Sequence, residues 1–168
     1  MTTIQFNSIG TIHSPFKDIK GMPIQPTSAE GIEGWVEIYE PYLAGLQDLN
    51  DFSHIILLYY FHKVHDPLLV VTPFLDNQPH GVFATRAPTR PNPIGLSVVE
   101  LQRVENEKLY ISNIDILDGT PLLDIKPYIP SFDHQQKVRV GWLIGKGDEI
   151  RRRVSDDRFD ARTEGKDA

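Results

Sequence analysis

Apolar residues recur along the chain in short groups that are typical of β-strands. Alternation with polar residues, which is typical of strands with one buried face, runs from Ile4 to Ile12 and returns at residues 35–39. Further apolar runs predict strands at residues 55–62, 68–74, 96–104, 109–116 and 138–143, with a short extended segment at 81–85. The polar residues 105–108 separate two of these strands and predict a hairpin connection.

Only one helix is clearly predicted, over residues 41–49. Pro41 stands in its first turn, where proline is tolerated, and Leu43 and Leu46 lie three apart on one face. Thirteen prolines and twelve glycines, spread along the chain, interrupt longer helices. The pattern therefore predicts a mainly all-β fold: a compact single-domain β-barrel with one or two short helices.

The composition changes after Ile144. We expect residues 1–144 to form the barrel domain, and the charged residues 145–168, which include Arg151, Arg152 and Arg153, to form a surface helix and a tail. A length of 168 residues suits one domain with one core. No apolar run approaches the length that crosses a bilayer, and residues 1–10 carry no export signal. We therefore expect a cytoplasmic protein without a membrane partner.

Charge and cysteine content exclude several kinds of site. A net charge of −6 argues against binding of nucleic acid through a generally basic surface, so an RNA partner requires a local cluster of cations. The chain has no cysteine, which excludes disulfides and thiolate chemistry. His62 and His65 have the spacing of a metal pair, but no third ligand stands at a recognisable spacing, so we expect no metal.

The segment ATRAPTRPNPIGL, residues 84–96, is the most unusual in the chain. Its three prolines fix the backbone and restrict the residues before them, so Arg86 and Arg90 are presented from a stiff loop. Such a loop suits binding of a carboxylate or a phosphate, because little backbone must be ordered on binding. A structural loop whose arginines pair with acidic neighbours is an equally good interpretation of the residues alone.

The segment DILDGTPLLDIKPYIP, residues 115–130, concentrates polar chemistry. Asp124, Lys126 and Tyr128 are spaced by two, so on an extended strand they share one face. A carboxylate, an amine and a phenol that converge there could abstract a proton or orient a polar substrate. The alternative is a surface turn, DGTP, followed by a half-exposed strand that carries a Lys–Asp pair.

Five segments of the chain resemble a known family. No glycine-rich nucleotide fingerprint, phosphate-binding loop or nucleophile elbow is present. The sequence is instead similar to the TsaA-like, TrmO-type tRNA methyltransferases, which methylate N6-threonylcarbamoyladenosine next to the anticodon. The segments that carry the resemblance are IGTIHSPFK (9–17), GMPIQP (21–26), FSHIILLYYFH (52–62), GVFATRAPTRPNPIGLSVVEL (81–101) and DILDGTPLLDIKPYIPSFD (115–133).

The resemblance implies a dimeric β-barrel that binds S-adenosylmethionine close to the subunit boundary. It assigns the cofactor to Ile24, Gln25, Pro26, His62, Lys63, Arg86, Leu96, Ser112, Asn113, Ile114 and Asp115. In this assignment Arg86 meets the methionyl carboxylate, and Leu96 and the strand from Ser112 cover the adenine. Asp115 would accept hydrogen bonds from the ribose hydroxyls.

The same resemblance implies substrate and proton-transfer residues. A nitrogen that attacks a methyl group must lose its hydrogen, and the candidates to take it are Asp118, Asp124 and Lys126. Arg90 and Asn92 would hold the threonyl carboxylate or an anticodon phosphate. Tyr128 is the further substrate-binding candidate.

Two other functions stay open on the sequence. Longer members of the family carry a second, C-terminal domain, whereas this chain offers a charged tail after Ile144. The barrel could therefore methylate a small molecule. It could also be a module that binds S-adenosylmethionine without catalysing transfer.

Overall fold

The computed structural model describes residues 2–64, 66–150, 154–156 and 159. Within these residues the chain forms eight strands: β1 (Gly10–His13), β2 (Glu33–Ile38), β3 (His54–Tyr60), β4 (Val70–Val71), β5 (His80–Gly81), β6 (Ile94–Glu105), β7 (Lys108–Ser112) and β8 (Thr120–Pro127). Two short α-helices follow, α1 (Pro130–Asp133) and α2 (Gly147–Ile150). The prediction of a mainly all-β fold with short helices is confirmed.

Six of the strands close into an antiparallel barrel in the order β1-β2-β7-β6-β3-β8. Alternate residues of each strand point inward, and the interior is filled by branched apolar side chains, as expected for a barrel of this size. Ile12, Val36, Leu57, Val99 and Leu122 are all fully buried there. This period of two is the feature that the sequence pattern predicted for residues 35–39.

Strands β6 and β7 form the predicted hairpin. Their last pair is Glu105 with Lys108. Asn106, the first residue of the turn, has a φ of 53°, a left-handed conformation that asparagine tolerates better than most residues. β6 starts at Ile94, two residues earlier than predicted. The loop that carries Arg86 and Arg90 therefore leads directly into a strand of the barrel.

Several predicted elements differ from the structure. Residues 41–49 are not one α-helix: a 3₁₀ helix, Glu40–Leu46, is separated from a second, Leu49–Asp51, by Asp48 in a left-handed conformation with φ 64°. The N-terminal strand begins only at Gly10, and Ile4 and Phe6 are exposed. The predicted strand was too long, because alternation of apolar and polar residues does not by itself provide a neighbouring strand for pairing.

The predicted strand at residues 138–143 is also absent. Val138 and Val140 are exposed, and Gly141–Leu143 is a 3₁₀ helix. The barrel closes when β8 pairs with β1, so no barrel edge remains for another strand.

Outside the barrel, β4 and β5 form a separate two-stranded sheet. The predicted strand at residues 68–74 is therefore reduced to Val70–Val71, and most of 81–85 is a 3₁₀ helix, Val82–Ala84. The chain after the barrel packs on this sheet: the Trp142 ring stacks on His80, and its Nε1 donates to the Ala84 carbonyl at 2.8 Å. Lys146 Nζ lies 3.0 Å from Asp76 Oδ2.

No helix of the described part of the chain is long and apolar enough to cross a membrane. Of residues 145–168, the structure describes residues 145–150, which include α2, residues 154–156 and Phe159. The predicted Arg151–Arg153 cluster lies outside the described residues.

Candidate functional site

A row of three polar side chains lies at one end of the barrel. Tyr59 on β3 and Ser97 on β6 point inward and are almost completely buried, and their oxygens are 3.0 Å apart. Ser97 Oγ donates in turn to Asp115 Oδ1 at 2.6 Å, from the loop that follows β7. A buried polar group destabilises the fold unless it is hydrogen-bonded, and each group in this row is hydrogen-bonded to its neighbour.

Gly95 makes room for this row. Gly95 pairs with Tyr59 across β6 and β3, and a Cβ at this position would lie 2.2 Å from the Tyr59 ring. Only a residue without a side chain lets the ring lie flat against the strand. Sequence analysis missed Tyr59, Gly95 and Ser97; the available signal was a hydroxyl-bearing Tyr59 in step with the inward residues Ile55 and Leu57.

The pKa shifts of Tyr59 and Asp115 indicate which group donates in each hydrogen bond of the row. Burial raises the pKa of the Asp115 carboxyl to about 6, against the opposing effects of the Ser97 hydrogen bond and the Arg86 charge. Burial, together with the charge of Asp115, raises the pKa of the Tyr59 phenol well above its usual value, so Tyr59 remains a donor. Because Ser97 donates to Asp115, Tyr59 donates to Ser97, and both donors support negative charge on the carboxylate.

The raised pKa of Asp115 predicts a pH-dependent stability. Between about pH 4 and about pH 6 the folded protein holds a proton that the unfolded chain has released, so the free energy of unfolding falls as the pH rises through this window. Asp115→Asn, which mimics the protonated form, is expected to remove this contribution. Urea unfolding of both proteins from pH 4 to pH 7 measures it. A difference between them that does not grow in favour of the variant as the pH rises would contradict the assignment.

The two arginines of the proline-rich loop have different environments. Arg90 Nη1 donates to two carbonyls of its own loop, those of Thr85 and Ala87, at 2.8 and 3.4 Å, and to the Val82 carbonyl of the preceding 3₁₀ helix at 3.1 Å. Arg86 is exposed and donates from Nη1 to Gln25 Oε1 at 3.1 Å. Arg90 therefore stiffens the loop, and Arg86 is presented by it. Asn92 is exposed on the same loop.

A cleft opens beside the polar row. Tyr59, His62, Lys63, Asp115 and Thr120 are among the residues that line it. Burial and the neighbouring charge of Lys63 lower the pKa of His62, so this imidazole is neutral at pH 7. The cleft thus combines apolar walls with a few polar groups, as small-molecule sites do.

The structure brings together five of the positions that the resemblance assigns to a cofactor. His62, Lys63 and Asp115 line the cleft, and Arg86 interacts electrostatically with Asp115 while it contacts Gln25. Ile24 and Pro26 flank Gln25, and both are half-buried. These residues come from four separate parts of the chain, and barrel closure places them at one end.

Four other residues that the resemblance assigns to the cofactor make their contacts away from the cleft. Ile114 is fully buried in the core, and Asn113, at φ 65°, accepts a hydrogen bond from the Gly31 amide at 2.9 Å. The Ser112 hydroxyl donates to Glu100 and accepts from Gln102. Leu96 points outward from β6 and is 46% exposed. Their side chains are not gathered around the cleft with Asp115.

Asp118 is the member of the proposed catalytic set that adjoins the cleft, because its neighbours Leu117 and Thr120 line it. Asp118 Oδ2 lies 2.7 Å from Lys17 Nζ, and Oδ1 accepts from the Ser14 amide at 3.1 Å. Although partial burial acts to raise the pKa of Asp118, these contacts outweigh it, and the pKa is lowered. Asp118 is therefore ionised at pH 7 and only weakly basic.

Asp124 and Lys126 share one face of β8, as predicted, but it is the outer face. They form an exposed ion pair with a 2.7 Å separation. Tyr128 lies beyond the end of β8, where its amide donates to the His54 carbonyl and its ring packs edge-on to His54. His54 begins β3 and Tyr59 stands near its end, so the two lie about 17 Å apart along the strand. The three side chains do not converge with the polar row.

No cluster of three or more potential metal ligands occurs among the residues that the structure describes. His65, the second member of the histidine pair, lies outside them.

Comparison with known proteins gives concordant matches. The family model described as the tRNA-methyltransferase O N-terminal domain matches residues 11–134. A probable S-adenosyl-L-methionine-binding protein from Pyrococcus abyssi is 51% identical over 156 residues, which are 93% of this chain and 85% of that protein. The tRNA (adenine(37)-N6)-methyltransferase of Escherichia coli is 39% identical over 140 residues, 77% of this chain and 60% of the enzyme.

Among solved structures, the crystal structure of TrmO from Pseudomonas aeruginosa superposes with a TM-score of 0.71 at 40% identity. The match covers 84% of this chain and 63% of the crystallised one. The chain thus spans most of the archaeal relative but less than two thirds of the two bacterial proteins.

Proposed function

The chain belongs to the family of the tRNA-methyltransferase O N-terminal domain, and we propose from this that it transfers a methyl group from S-adenosylmethionine to N6 of a modified adenosine next to the anticodon of tRNA. The observation that carries the proposal is the family match over residues 11–134, together with the identity to the Escherichia coli enzyme. The acceptor that we propose is N6-threonylcarbamoyladenosine.

The residues around the cleft fit S-adenosylmethionine. Asp115 offers a carboxylate to ribose hydroxyls, and the apolar walls of the cleft with their few polar groups suit a small molecule. The contact to Gln25 uses one of the five N–H donors of Arg86, and a guanidinium can bind a carboxylate with two others. When bound, S-adenosylmethionine supplies a methyl group activated by its sulfonium. The protein residues supply orientation, which is the main requirement of such a transfer.

Proton removal is the remaining requirement. Of the candidates, Asp118 is favoured by its place beside the cleft and by its ionised state. Asp124 and Lys126 stand on the outer wall, where only an extended substrate such as RNA would meet them. Arg90 and Asn92 belong to the loop that presents Arg86, and Tyr128 would contact a more distant part of the same RNA.

Transfer RNA is the proposed partner despite the net charge of −6. Lys63 is exposed and lines the cleft, Arg86 is exposed and interacts electrostatically with Asp115, and Lys17 lies beside Asp118. A local group of cations can attract a phosphate chain even on an acidic protein. We also propose a cytoplasmic location, in keeping with a tRNA substrate.

A homodimer is proposed through the outer face of β3 and β6. Tyr60 pairs with Ile94 and Leu58 with Leu96 on this face, and Tyr60, Ile94 and Leu96 are each more than a third exposed. Contiguous apolar side chains on a strand surface favour burial against another protein surface. Light scattering should then give twice the 19.1 kDa of one chain.

A second candidate function is favoured by the archaeal relative, which is named for binding S-adenosylmethionine and not for a transfer reaction. Such a module would hold the cofactor in the same cleft and transfer nothing. A small-molecule acceptor is the other alternative, because the cleft combines apolar walls with a few polar groups.

The deciding experiment measures methyl transfer from labelled S-adenosylmethionine to tRNA that carries threonylcarbamoyladenosine. Matched tRNA without the modification is the control. Label only in the modified tRNA is the expected result. Bound cofactor with no label in either tRNA would refute tRNA methylation by this chain and favour the binding module or a small-molecule acceptor.

A further inference from the structure

A short segment near the C-terminus, residues 154–156, lies against residues 19–23, of which Ile19 and Met22 line the cleft. Ser155 donates from its amide to the Met22 carbonyl at 2.7 Å, and its carbonyl accepts from the Gly21 amide at 2.9 Å. The Ser155 hydroxyl accepts from the Met22 amide at 3.0 Å and donates to the Ile19 carbonyl. Val154 forms a β-bridge with Pro23. Four hydrogen bonds through one serine fix this segment on residues 19–23.

Phe159, four residues further on, is buried. It packs with Val71, Val82 and Ala87, and its ring meets Phe74 edge-on at 5.1 Å between centroids. The Val82 and Ala87 carbonyls are two of those that Arg90 holds. Phe159 is therefore packed against the loop that presents Arg86.

Phe159 also stands between two clefts. On one side it lines the cleft that contains Tyr59, His62 and Asp115. On the other it lines a second cleft, with Val70, Val71 and Asn77. The Phe159 ring is therefore an apolar part of the wall of both clefts.

We propose that Phe159 is a cofactor-binding residue, the apolar wall of the cleft on the side of the arginine loop. The inference rests on the proposed function, because it takes S-adenosylmethionine as the ligand of the cleft. It extends the site beyond residues 11–134, the part that matches the family model. An aromatic wall excludes water from one side of a bound ligand and thereby strengthens its polar contacts with Asp115 and Arg86.

Titration calorimetry of the full-length protein with S-adenosylmethionine tests the proposal. Phe159→Ala is expected to bind about tenfold more weakly than wild type, from the contact energy of one aromatic side chain. Phe74→Ala is the matched control, because Phe74 packs on Phe159 in the same cluster but is not among the described residues that line the cleft. It should lower the melting temperature in the same way and leave the affinity within about threefold of wild type.

Two results would overturn the assignment of Phe159 to the cofactor site. Equal affinity of Phe159→Ala and wild type would overturn the proposal, and so would an equal loss in both variants, which would indicate a purely structural cluster. If Phe159→Ala does not fold, Phe159→Leu replaces it, with an expected loss of about threefold, and unchanged affinity again overturns the inference. Wild-type protein that binds no S-adenosylmethionine would refute the proposed function, and with it this assignment, and is distinguishable from all of these results.

Discussion

Arg86→Ala is expected to bind S-adenosylmethionine on the order of 100-fold more weakly than wild type. Arg86 is presented by a loop that three prolines and the Arg90 hydrogen bonds hold rigid, so the guanidinium is positioned before a ligand arrives. Its removal leaves the methionyl carboxylate without a partner in a cleft that also contains the Asp115 carboxylate. Titration calorimetry at pH 7.5 measures the change.

Arg103→Ala is the matched control for Arg86→Ala. Arg103 is also an exposed arginine, but it contacts Glu105 and the Tyr110 ring beside the hairpin of β6 and β7. The control removes the same charge and should leave the affinity unchanged. Arg86→Lys is expected to restore part of the affinity, because an ammonium keeps the charge but loses the two-pronged contact. Equal affinities of Arg86→Ala and Arg103→Ala would refute the carboxylate role.

Gly95→Ala is expected to lower the free energy of unfolding by about 3 kcal/mol. The new Cβ would lie 2.2 Å from the Tyr59 ring, which is buried and cannot turn away without breaking its hydrogen bond to Ser97. The loss should also appear as weaker cofactor binding, because Ser97 holds Asp115 in place. Chemical denaturation gives the stability, and calorimetry gives the affinity.

Gly45→Ala serves as the comparison for Gly95→Ala. Its Cβ would meet no atom within 4 Å, so the stability should stay within about 0.5 kcal/mol of wild type. A stable Gly95→Ala variant with unchanged affinity would show that Tyr59 can relocate freely, and the polar row would then have no part in the site.

The sequence singled out the proline-rich loop, residues 84–96, but not the different contacts of its two arginines. Three prolines predicted a rigid loop that presents arginines, and the structure shows that rigidity is completed by Arg90, which binds backbone carbonyls and not the acidic neighbours that were the alternative. Side-chain to carbonyl contacts of this kind depend on how a loop folds back on itself. No spacing rule predicts them.

The prediction for Asp124, Lys126 and Tyr128 was right about local arrangement and silent about position in the barrel. Their spacing by two correctly placed Asp124 and Lys126 on one face of a strand. The spacing carried no information about which side of the barrel that face would occupy. Leu122 takes the inward position, and a shift of register opposite Leu58 and Tyr59 sets the phase of the residues after it.

The sequence by itself determined the strand-rich fold, the hairpin at residues 105–108 and the family, because these depend on local periodicity, turn chemistry and contiguous motifs. Only the tertiary structure decided that Tyr59, Ser97 and Asp115 form one hydrogen-bonded row, that Gly95 makes room for it, and that Phe159 closes the same cleft. These residues are distant in sequence and meet only when the barrel closes. Their contacts follow from which strands pair and in what register, and that choice is made by burial of the whole core.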